Sequence, residues 1–557
     1  MHRRELLALG AAGFSLPAAP ASVPRSTAPV FDARKHGARG DGKTKDTAAI
    51  QSAIDAAFKA GGGIVQLGPG IYFTGTIMLK SNVTIYLEAG ATLLGSKDLA
   101  DYPPQPGPDP HSDANVHHLL FAREAENVTL CGLGRIDGQG PSFWTPSDRP
   151  QNLEDFWRVA ISNSYRPLPG NPRPSPMLEF VRCKNLHIED VTIANSAGWT
   201  LRPIECESVF IRRIRIRNPI YGPNTDGIDV TGCSNVFISD CDIDTGDDAL
   251  CIKSESPYGG DVAPTRNITI TNCVLTGCCN GLKLGTATHG AFENITFTNS
   301  VIYNNDDAPL RSRIISGIAV EMVDGGSVYG VVISNIRMQN TRTPIFIRLA
   351  NRSGNPPSGP KQGALRGVMI ENVYATGAIL TSSVAGLPGH DVEDVTLSNI
   401  RIDTVEGGVQ DWVNLEVPEV PAKYPEAHMF GRLPAYGFYC RHVNGLRFDN
   451  VRVETRKPDM RPLLLCEDVK NLRVTGLAGD APAGGEPLLV FRNVRRAFIH
   501  GCWAPPHTST FLSVEGEGSS AISLVGNALG EAGKSVETLK GSPSDAVSEA
   551  SNRGASQ

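Results

Sequence analysis

Two acidic motifs stand out near the middle of the chain, about one repeat unit apart. They are Asn224-Thr225-Asp226-Gly227-Ile228-Asp229 and Thr245-Gly246-Asp247-Asp248. Carboxylates that crowd together repel one another as anions, which raises the pKa of at least one of them. A protonated acid beside an ionised carboxylate is the pair that glycoside hydrolysis uses. We therefore predict that Asp226, Asp247 and Asp248 are catalytic, with a polar turn or a calcium-binding aspartate ladder as the alternative.

Repeated short strands are the elements that must bring the two motifs together. A phrase of one Asn, several alternating apolar and polar residues and a second Asp or Asn recurs along the chain, as at Asn185, Asn235, Asn267 and Asn294. Most intervals are roughly 22 to 37 residues, with a few double steps. The alternation indicates strands, and the period indicates a solenoid. Residues one coil apart in a parallel solenoid stack about 4.8 Å apart, so the motifs can meet on one face. We expect each Asn at a turn, where its side chain satisfies stacked backbone groups.

A local kink is required if both aspartates of the second motif are to face the same way. Neighbouring strand residues point to opposite sides of a sheet, so Asp247 and Asp248 in a regular strand would diverge. Gly246 comes directly before the pair and can permit the kink.

The predicted architecture also includes one N-terminal helix, a long solenoid and a C-terminal tail. Asp46-Thr47 can cap a helix over residues 48–59, which would cover the open end of the first coil. Its apolar residues have helical spacing: Ile50, Ala53, Ile54 and Ala57. Residues 22–529 are predicted to form one catalytic solenoid, continuous from about Ile64 to about Val525. The polar residues 530–557 are expected to form a poorly ordered tail.

The N-terminus has the features of an export signal over residues 1–21. Arg3-Arg4 precede an apolar run from Leu6 to Leu16, and Ala19-Pro20-Ala21 offers a small-residue cleavage site. The run is too short to span a bilayer, and no later segment is apolar for long enough. We therefore expect an exported protein, periplasmic or extracellular, with Sec and twin-arginine export both open.

The twelve cysteines and the formal net charge of −6 bear on whether the protein is rich in disulfides, binds a metal or binds nucleic acid. Several cysteines recur at one place in the repeat, as at Cys183, Cys206 and Cys233, so most are expected to be small buried hydrophobes, although a few disulfides remain open. None has zinc-site spacing, and we predict no metal and no cofactor. The negative net charge excludes the basic field that nucleic acid would need.

The motif pair resembles glycoside hydrolase family 28, which holds polygalacturonases and rhamnogalacturonases. The Asn-Thr-Asp-Gly-Ile-Asp motif followed by Gly-Asp-Asp carries the resemblance, supported by Gly40-Asp41-Gly42, Pro69-Gly70-Ile71-Tyr72 and Ile136-Asp137-Gly138. It extends from about Phe31 to Gly354. The resemblance implies an all-β, right-handed, single-stranded parallel β-helix and an inverting mechanism. It also implies that Asp247 is the acid and that Asp226 and Asp248 hold the nucleophilic water.

The chain departs from this family at the positions that hold the substrate. Asn280 stands where polygalacturonases carry the His of Gly-His-Gly, and Ala319 and Glu321 stand where they carry the two cations of Arg-Ile-Lys. An acid there would repel a galacturonate carboxylate, so we predict that polygalacturonan is a poor substrate and that rhamnose-containing or branched pectin is better. New cations follow nearby, although these can also be ordinary solvated charges. The predicted substrate-binding residues are Asn224, Asn280, Lys283, Glu321, Arg348 and Arg352.

Two other functions fit the same fold. A polysaccharide lyase would use a base and commonly a calcium ion, which the aspartates could hold. A non-catalytic carbohydrate-binding β-helix would explain the missing His and Arg-Ile-Lys. In each case the expected partner is a polysaccharide or oligosaccharide, with neither nucleic acid nor membrane, and the protein is expected to be a monomer.

Overall fold

A computed structural model describes residues 28–105, 116–147, 161–170, 173–352 and 362–554. Within these residues, thirty-nine strands join into one array whose ladders between successive coils are parallel. The chain therefore winds as a parallel β-helix, and the predicted fold class is confirmed. A separate antiparallel pair lies outside the array and consists of Trp144–Pro146 and Tyr165–Pro167.

Each coil contributes to up to three sheets, which we number by their order along a coil. The first sheet contains Ile77–Met78, Leu120–Arg123, Leu178–Val181, Leu201–Ile204, Ile228–Thr231, Leu250–Ser254, Asn280–Thr288, Ser316–Met322, Thr343–Leu349, Ser382–Ala385, Leu489–Arg492, Thr508–Glu515 and Ala532–Leu539. The second contains Val30–Asp32, Gly63–Leu67, Val83–Leu87, Glu126–Cys131, Lys184–Glu189, Glu207–Arg212, Ser234–Ser239, Thr265–Thr271, Arg495–His500, Ser520–Val525 and Val547–Ala550. The third contains Asp41–Lys45, Gly70–Thr74, Ala91–Gly95, Arg135–Asp137, Thr192–Ala194, Arg215–Arg217, Asp242–Asp244, Val274–Thr276 and Ala478–Gly479.

Longer strands in the C-terminal half pass from one sheet to the next. Those that span the second and third sheets are Ala291–Tyr303, Ser327–Gln339, Ala364–Ala378 and Val392–Thr404. Leu464–Thr475 spans the first and second sheets, and Phe438–Thr455 runs through all three. The short 3-10 turns are Ala33–His36, Leu99–Asp101, Gly140–Phe143, Ile161–Ser164, Leu310–Ser312 and Gln410–Trp412.

The core consists of apolar rows that the alternating sequence pattern creates. On the second sheet, one inward row stacks Leu186, Val209, Val236, Ile268 and Ile295, one from each coil, and all are buried. Burying a side chain of this size stabilises the fold by about 1.5–3 kcal/mol. Because every coil repeats the pattern, the register of one coil determines that of the next.

The asparagines stack in ladders at the corners of the coils. Asn267 Nδ2 donates to Asn235 Oδ1 at 3.0 Å, and Asn294 Nδ2 donates to Asn267 Oδ1 at 3.2 Å. These residues adopt positive φ, a conformation that Asn tolerates better than most residues. The corner position is as predicted, but the amides bond mainly to one another rather than to the backbone.

The predicted N-terminal helix is present over Thr47–Lys59. Its four apolar residues are buried, and the helix packs against the first strands of the second sheet. Asp46 does not cap it through its side chain. Instead, the Asp46 carboxylate accepts hydrogen bonds from the backbone N–H groups of Arg39 (2.7 Å) and Gly40 (3.0 Å), which hold the preceding turn.

The ends of the chain differ from the predicted boundaries. The tail prediction is wrong for residues 530–554, because Ala532–Leu539 and Val547–Ala550 extend the β-helix. Few apolar residues are needed in this last coil, where Val536 and Val547 pack on the core, so its composition resembles that of a linker. The predicted signal, residues 1–21, lies outside the described residues. No described helix is long and apolar enough to cross a membrane.

All twelve cysteines are free thiols, and eleven of them are buried. Three form the predicted ladder: the Cys183 N–H donates to Cys206 Sγ and the Cys206 N–H donates to Cys233 Sγ, each at 3.3 Å. Burial raises the pKa of the Cys206 thiol well above its usual range, which keeps it unreactive. These cysteines therefore pack as small hydrophobes.

Candidate active site

The two acidic motifs meet at the entrance to the first sheet. Asp226 comes just before the strand Ile228–Thr231, and Asp247 and Asp248 come just before Leu250–Ser254. The Gly227 N–H donates to the Asp248 carbonyl oxygen at 2.9 Å, so the motifs are direct neighbours in the stack. The expected juxtaposition of the three aspartates is thus present in the structure.

Gly246 allows the second motif to turn at this corner. Residues 245–249 lie between strands, so Asp247 and Asp248 are not held to opposite faces of a sheet. The Gly246 N–H donates to Thr225 Oγ1 at 3.0 Å. A Cβ at Gly246 would lie 2.5 Å from the Gly222 carbonyl oxygen and 2.6 Å from Thr225 Oγ1, so only glycine permits this close approach.

Three nitrogen donors hold the Asp248 carboxylate. Its Oδ1 accepts hydrogen bonds from Asn280 N (2.9 Å) and Asn280 Nδ2 (2.6 Å). Its Oδ2 lies 3.3 Å from Lys283 Nζ in an ion pair with little exposure to solvent. Asn280, which replaces the family's His, therefore orients an acidic side chain of the site.

Asp247 has the environment of a proton donor. Burial, followed by the neighbouring charge of Asp248, raises the pKa of Asp247 to about 7, although Lys283 lowers it. Its Oδ1 accepts a hydrogen bond from the Asp248 N–H at 2.9 Å. Asp247 is partly exposed, whereas Asp226 and Asp248 are buried. A partly exposed carboxyl that holds a proton near neutral pH can deliver it to a bound sugar.

Asp226 is buried without a cation in contact. Burial first, and then the charges of Asp247 and Asp229, raise the pKa of Asp226 well above its usual range. Its Oδ1 has no hydrogen-bond partner among the described residues. An orphaned buried carboxylate oxygen is costly, and a bound water would satisfy it.

Sequence reasoning missed Lys253, which lies beside the same cluster. Lys253 Nζ lies 3.2 Å from Asp229 Oδ1 and 4.9 Å from the centre of the Trp199 ring. Its ammonium also donates to Cys251 Sγ at 3.1 Å. The available signal was strand alternation, which places Lys253 on the same side as Cys251, the residue that pairs with Asp229 of the preceding coil.

The predicted substrate-binding cations already have partners in the protein. Lys283 pairs with Asp248, and Arg352 Nε lies 2.6 Å from Asp324 Oδ1. Arg348 is fully buried and donates to the carbonyl oxygens of Gly386 (2.9 Å) and Glu419 (2.7 Å). Arg348 therefore does not face a groove as expected, because its guanidinium holds a covering loop.

The two positions where the family carries its cations are both buried, and the covering loop, residues 405–437, packs on the first of them. Ala319 packs in an apolar cluster with Phe346 and Phe430, and Glu321 has no exposed surface. Burial raises the pKa of Glu321 to about 8, despite the nearby Lys283, so its carboxyl is mostly protonated at neutral pH. The expected repulsion of a galacturonate carboxylate by Glu321 is therefore weak near neutral pH.

Two further site residues come from the remaining loops. Tyr424 of the 405–437 loop is half-exposed, and its hydroxyl lies 3.4 Å from both Lys283 Nζ and Thr286 Oγ1. No local pattern could have identified it, because it lies 141 residues from Lys283 in sequence. Asn224 is exposed, and its Oδ1 accepts a hydrogen bond from Arg173 at 3.3 Å. Its contact with substrate remains a prediction.

The cluster is poorly suited to a metal ion. Asp247, Asp248 and Cys279 each offer one atom within 4.8 Å of the others. Calcium takes six to eight oxygen ligands and has little affinity for a thiol. The Lys283 ammonium, 3.3 Å from Asp248, would also repel a cation there. The chemistry of this donor set favours acid–base work over ion binding.

Comparison with known proteins agrees with this geometry. The family model described as glycosyl hydrolases family 28 matches residues 73–420, which is more than half of the chain. The chain belongs to glycosyl hydrolases family 28. The protein is therefore a glycosidase rather than the lyase or the non-catalytic binding protein considered above. A second model, described as rhamnogalacturonase A/epimerase, pectate lyase-like, matches residues 30–93.

Individual relatives of this family 28 enzyme are distant. A probable polygalacturonase of Vitis vinifera is 26% identical over 384 residues, covering 66% of this chain and 72% of the relative. An exo-poly-alpha-D-galacturonosidase of Dickeya chrysanthemi is 27% identical and covers 58% of each chain. The structure of an exopolygalacturonase from Thermotoga maritima has a TM-score of 0.56 at 26% identity, covering 68% of this chain and 87% of that one.

Proposed function

We propose that this family 28 enzyme hydrolyses α-glycosidic bonds in a galacturonate-containing pectic polysaccharide, with inversion at the anomeric carbon. The relatives named as polygalacturonases support the substrate class. The observation that carries the mechanism is the pairing of a partly exposed Asp247, whose pKa is about 7, with two buried aspartates beside it.

In the proposed reaction, Asp247 donates its proton to the glycosidic oxygen as the bond from that oxygen to the anomeric carbon breaks. A water held by Asp226 and Asp248 attacks the anomeric carbon from the opposite face and loses a proton to this pair. The water oxygen thus becomes the new anomeric hydroxyl. Proton exchange with solvent then returns a proton to Asp247 and removes the one gained by Asp226 and Asp248, which restores the enzyme for the next cycle.

We further propose that a rhamnose-containing or branched chain is a better substrate than plain polygalacturonan. The two family cations are replaced by Ala319 and Glu321, while Lys283, Arg348 and Arg352 are engaged by other groups. A buried carboxylate needs a cationic partner, and losing one charge-assisted bond costs about 1.5–3 kcal/mol, or roughly tenfold and more in rate. Neutral Glu321 adds little repulsion to this loss.

Initial rates on polygalacturonan and rhamnogalacturonan, measured side by side as released reducing ends, test this proposal. We expect about tenfold faster cleavage of rhamnogalacturonan, no ultraviolet-absorbing unsaturated product, and an inverted anomer in the first product seen by NMR. A clear preference for polygalacturonan would show that another cation grips the galacturonate. Retention of configuration would contradict the assigned roles of the aspartates.

We also infer export of the mature protein, on the basis of the signal-like residues 1–21. N-terminal sequencing of protein collected outside the cytoplasm tests this. We expect the mature chain to begin at or near Ser22, directly after the small-residue site that ends at Ala21. Recovery of the intact N-terminus from the cytoplasm alone would contradict it.

A further inference from the structure

A second concave surface lies on the third sheet, away from the first-sheet aspartates. It is a groove with a volume of about 690 Å³ in the C-terminal half of the β-helix. We call it the third-sheet groove and define it by five of its lining residues: Tyr374, Arg401, Arg452, Ala478 and Trp503. None of these residues takes part in the proposed hydrolysis.

The register of the coils places these residues in one outward row. Tyr374 pairs with Arg401, Arg401 with Arg452, and Arg452 with Ala478, each in the next coil. Trp503 lines the groove one coil further on. Four steps of about 4.8 Å place the two aromatic side chains about 19 Å apart along the β-helix axis. The groove is therefore long enough for several sugar units in a row.

Missing side chains make this row concave. The corner ladder of asparagines beside the groove ends at Asn450, whose Nδ2 donates to Asn399 Oδ1 at 2.9 Å. The next two coils carry Gly476 and Gly501 at this corner, both with the positive φ of the ladder residues (61° and 64°). Ala478 adds only a methyl group. The corner keeps its backbone path but loses its side chains, which opens the depression.

The aromatic side chains at the two ends of the groove have no apolar cover. Tyr374 is 52% exposed and Trp503 is 71% exposed. The Arg337 guanidinium lies 4.6 Å from the centre of the Tyr374 ring, at the edge of the groove. Flat aromatic rings at intervals along an open groove are suited to the apolar faces of sugar rings.

The groove also carries uncompensated positive charge. The acids of the neighbouring outward row are already paired, Asp403 with Arg456 at 2.6 Å and Glu454 with Arg452 at 2.5 Å. Arg401 is exposed and has neither a hydrogen bond nor an ion pair with any described residue. A guanidinium in this position favours a carboxylate, with which it can form two parallel hydrogen bonds.

We propose that the third-sheet groove is a second, non-catalytic binding site for an acidic oligosaccharide, a stretch of uronate-containing chain that runs along the β-helix axis. Its rings stack on Tyr374 and Trp503, and a uronate carboxylate pairs with Arg401. Binding a polymer here raises the local concentration of chain around the enzyme. The choice of a uronate chain rests on the proposed function, but binding in the groove does not require hydrolysis.

Binding to sodium polygalacturonate, measured by affinity electrophoresis, tests the groove without requiring turnover. The test variants are Tyr374→Ala/Trp503→Ala and Arg401→Gln. The matched control is Tyr329→Ala, since Tyr329 is 55% exposed on the second sheet and also has an arginine, Arg366, 4.8 Å from its ring centre. We expect the double variant to bind about tenfold more weakly, on the scale of two lost aromatic contacts, and the control to bind as wild type.

The outcomes separate this site from the active site. Support requires weaker polymer binding in both test variants with unchanged turnover of a short oligosaccharide. Unchanged polygalacturonate binding by the double variant would overturn the proposal, as would equal retention by a neutral galactan. A change in sedimentation of the double variant would show that the groove is a protein contact instead. If the wild-type protein binds polygalacturonate through the groove but hydrolyses none of the pectic substrates, the proposed function is wrong and the proposed binding site still stands.

Discussion

Two buried carboxyls at the first sheet, Glu179 and Asp226, lie two coils apart and have pKa values shifted in opposite directions. Burial by itself would raise the pKa of the fully buried Glu179, but the charges of Arg202 and His118 outweigh it and lower the pKa to about 2. Arg202 Nε donates to Glu179 Oε1 at 2.9 Å, and His118 Nε2 lies 3.0 Å from Glu179 Oε2. Asp226, which is also buried, has its pKa raised well above the usual range.

The difference teaches that a buried carboxyl has a low pKa only where enough cationic groups contact it. Glu179 has Arg202 and His118, whereas Asp226 has no cation in contact and Asp229, with Lys253 alone, still has a raised pKa. The catalytic cluster contains four aspartates and two lysines: Asp226, Asp229, Asp247, Asp248, Lys253 and Lys283. Each lysine takes one aspartate, Lys253 with Asp229 and Lys283 with Asp248. The two aspartates left without a cation are the proposed acid and a holder of water. The paired Glu179 group, in contrast, is suited to structural support.

The largest expected effect comes from Asp247→Asn. This change removes the proposed proton donor, so we expect a loss of at least about 10³-fold in kcat. The folded state should be no less stable, because a carboxyl with a raised pKa destabilises the folded protein as it ionises. Initial rates measure the loss of kcat, and thermal unfolding at pH 8 measures the stability.

Asp240→Asn is the matched control for this change. Asp240 lies at the corner ladder of the same coil, and the next coil carries Asn272 at this position. We expect wild-type activity. An Asp247→Asn variant within tenfold of wild type would remove Asp247 from the mechanism.

Glu179→Gln should destabilise the protein more than any change to the catalytic aspartates. Removing one partner of a buried ion pair leaves Arg202 uncompensated and costs about 3–5 kcal/mol. Because the folded pKa of Glu179 is depressed, its contribution is complete above about pH 4.5 and disappears as the pH falls towards 2. Denaturant unfolding at pH 7 and pH 3 measures this, and equal free energies of unfolding for wild type and variant at pH 7 would contradict it.

The next largest effect is expected in the pH dependence of kcat/KM, which reports the protonation of Asp247. Asp247 must be protonated to act, so kcat/KM should fall as the pH rises through about 7. Lys283 lowers the pKa of Asp247, so Lys283→Gln should move this basic limb upward by about one pH unit, together with some loss of rate. Arg352→Gln, whose guanidinium is paired with Asp324, is the control and should not move it. A basic limb below pH 5 in wild type would assign the acid elsewhere.

The smallest effect is expected for Glu255→Gln. Glu255 lies 3.9 Å from the same Arg202 but is partly exposed. Solvent screens such a pair, so we expect a change below about 1 kcal/mol in the free energy of unfolding. Denaturant unfolding of this variant and of Glu179→Gln under the same conditions compares the two carboxylates. A similar loss of unfolding free energy in both variants would show that the burial of the carboxylate does not determine how strongly its pairing with Arg202 stabilises the fold.

Much of the fold could be predicted from local patterns. The capping helix and the strands from Asn185 to Asn294 follow from spacing alone, because an alternating strand or an amphipathic helix is a property of neighbours in sequence. The last coil could not be predicted, since a terminal coil with few apolar residues has the composition of a linker. The contact between the motifs of Asp226 and Asp248 could be predicted, because the two motifs are separated by about one coil in sequence.

The sequence by itself therefore determined the repeat, the side of each strand that faces the core, and the order of the acidic motifs. Only the tertiary structure decided which charges meet. The 405–437 loop packs on Ala319 and brings Tyr424 to Lys283. The two missing ladder side chains at Gly476 and Gly501 open a groove between Tyr374 and Trp503. Such contacts depend on where a long connection crosses the sheet and on how many coils separate two residues. Neither is encoded in a window of adjacent residues.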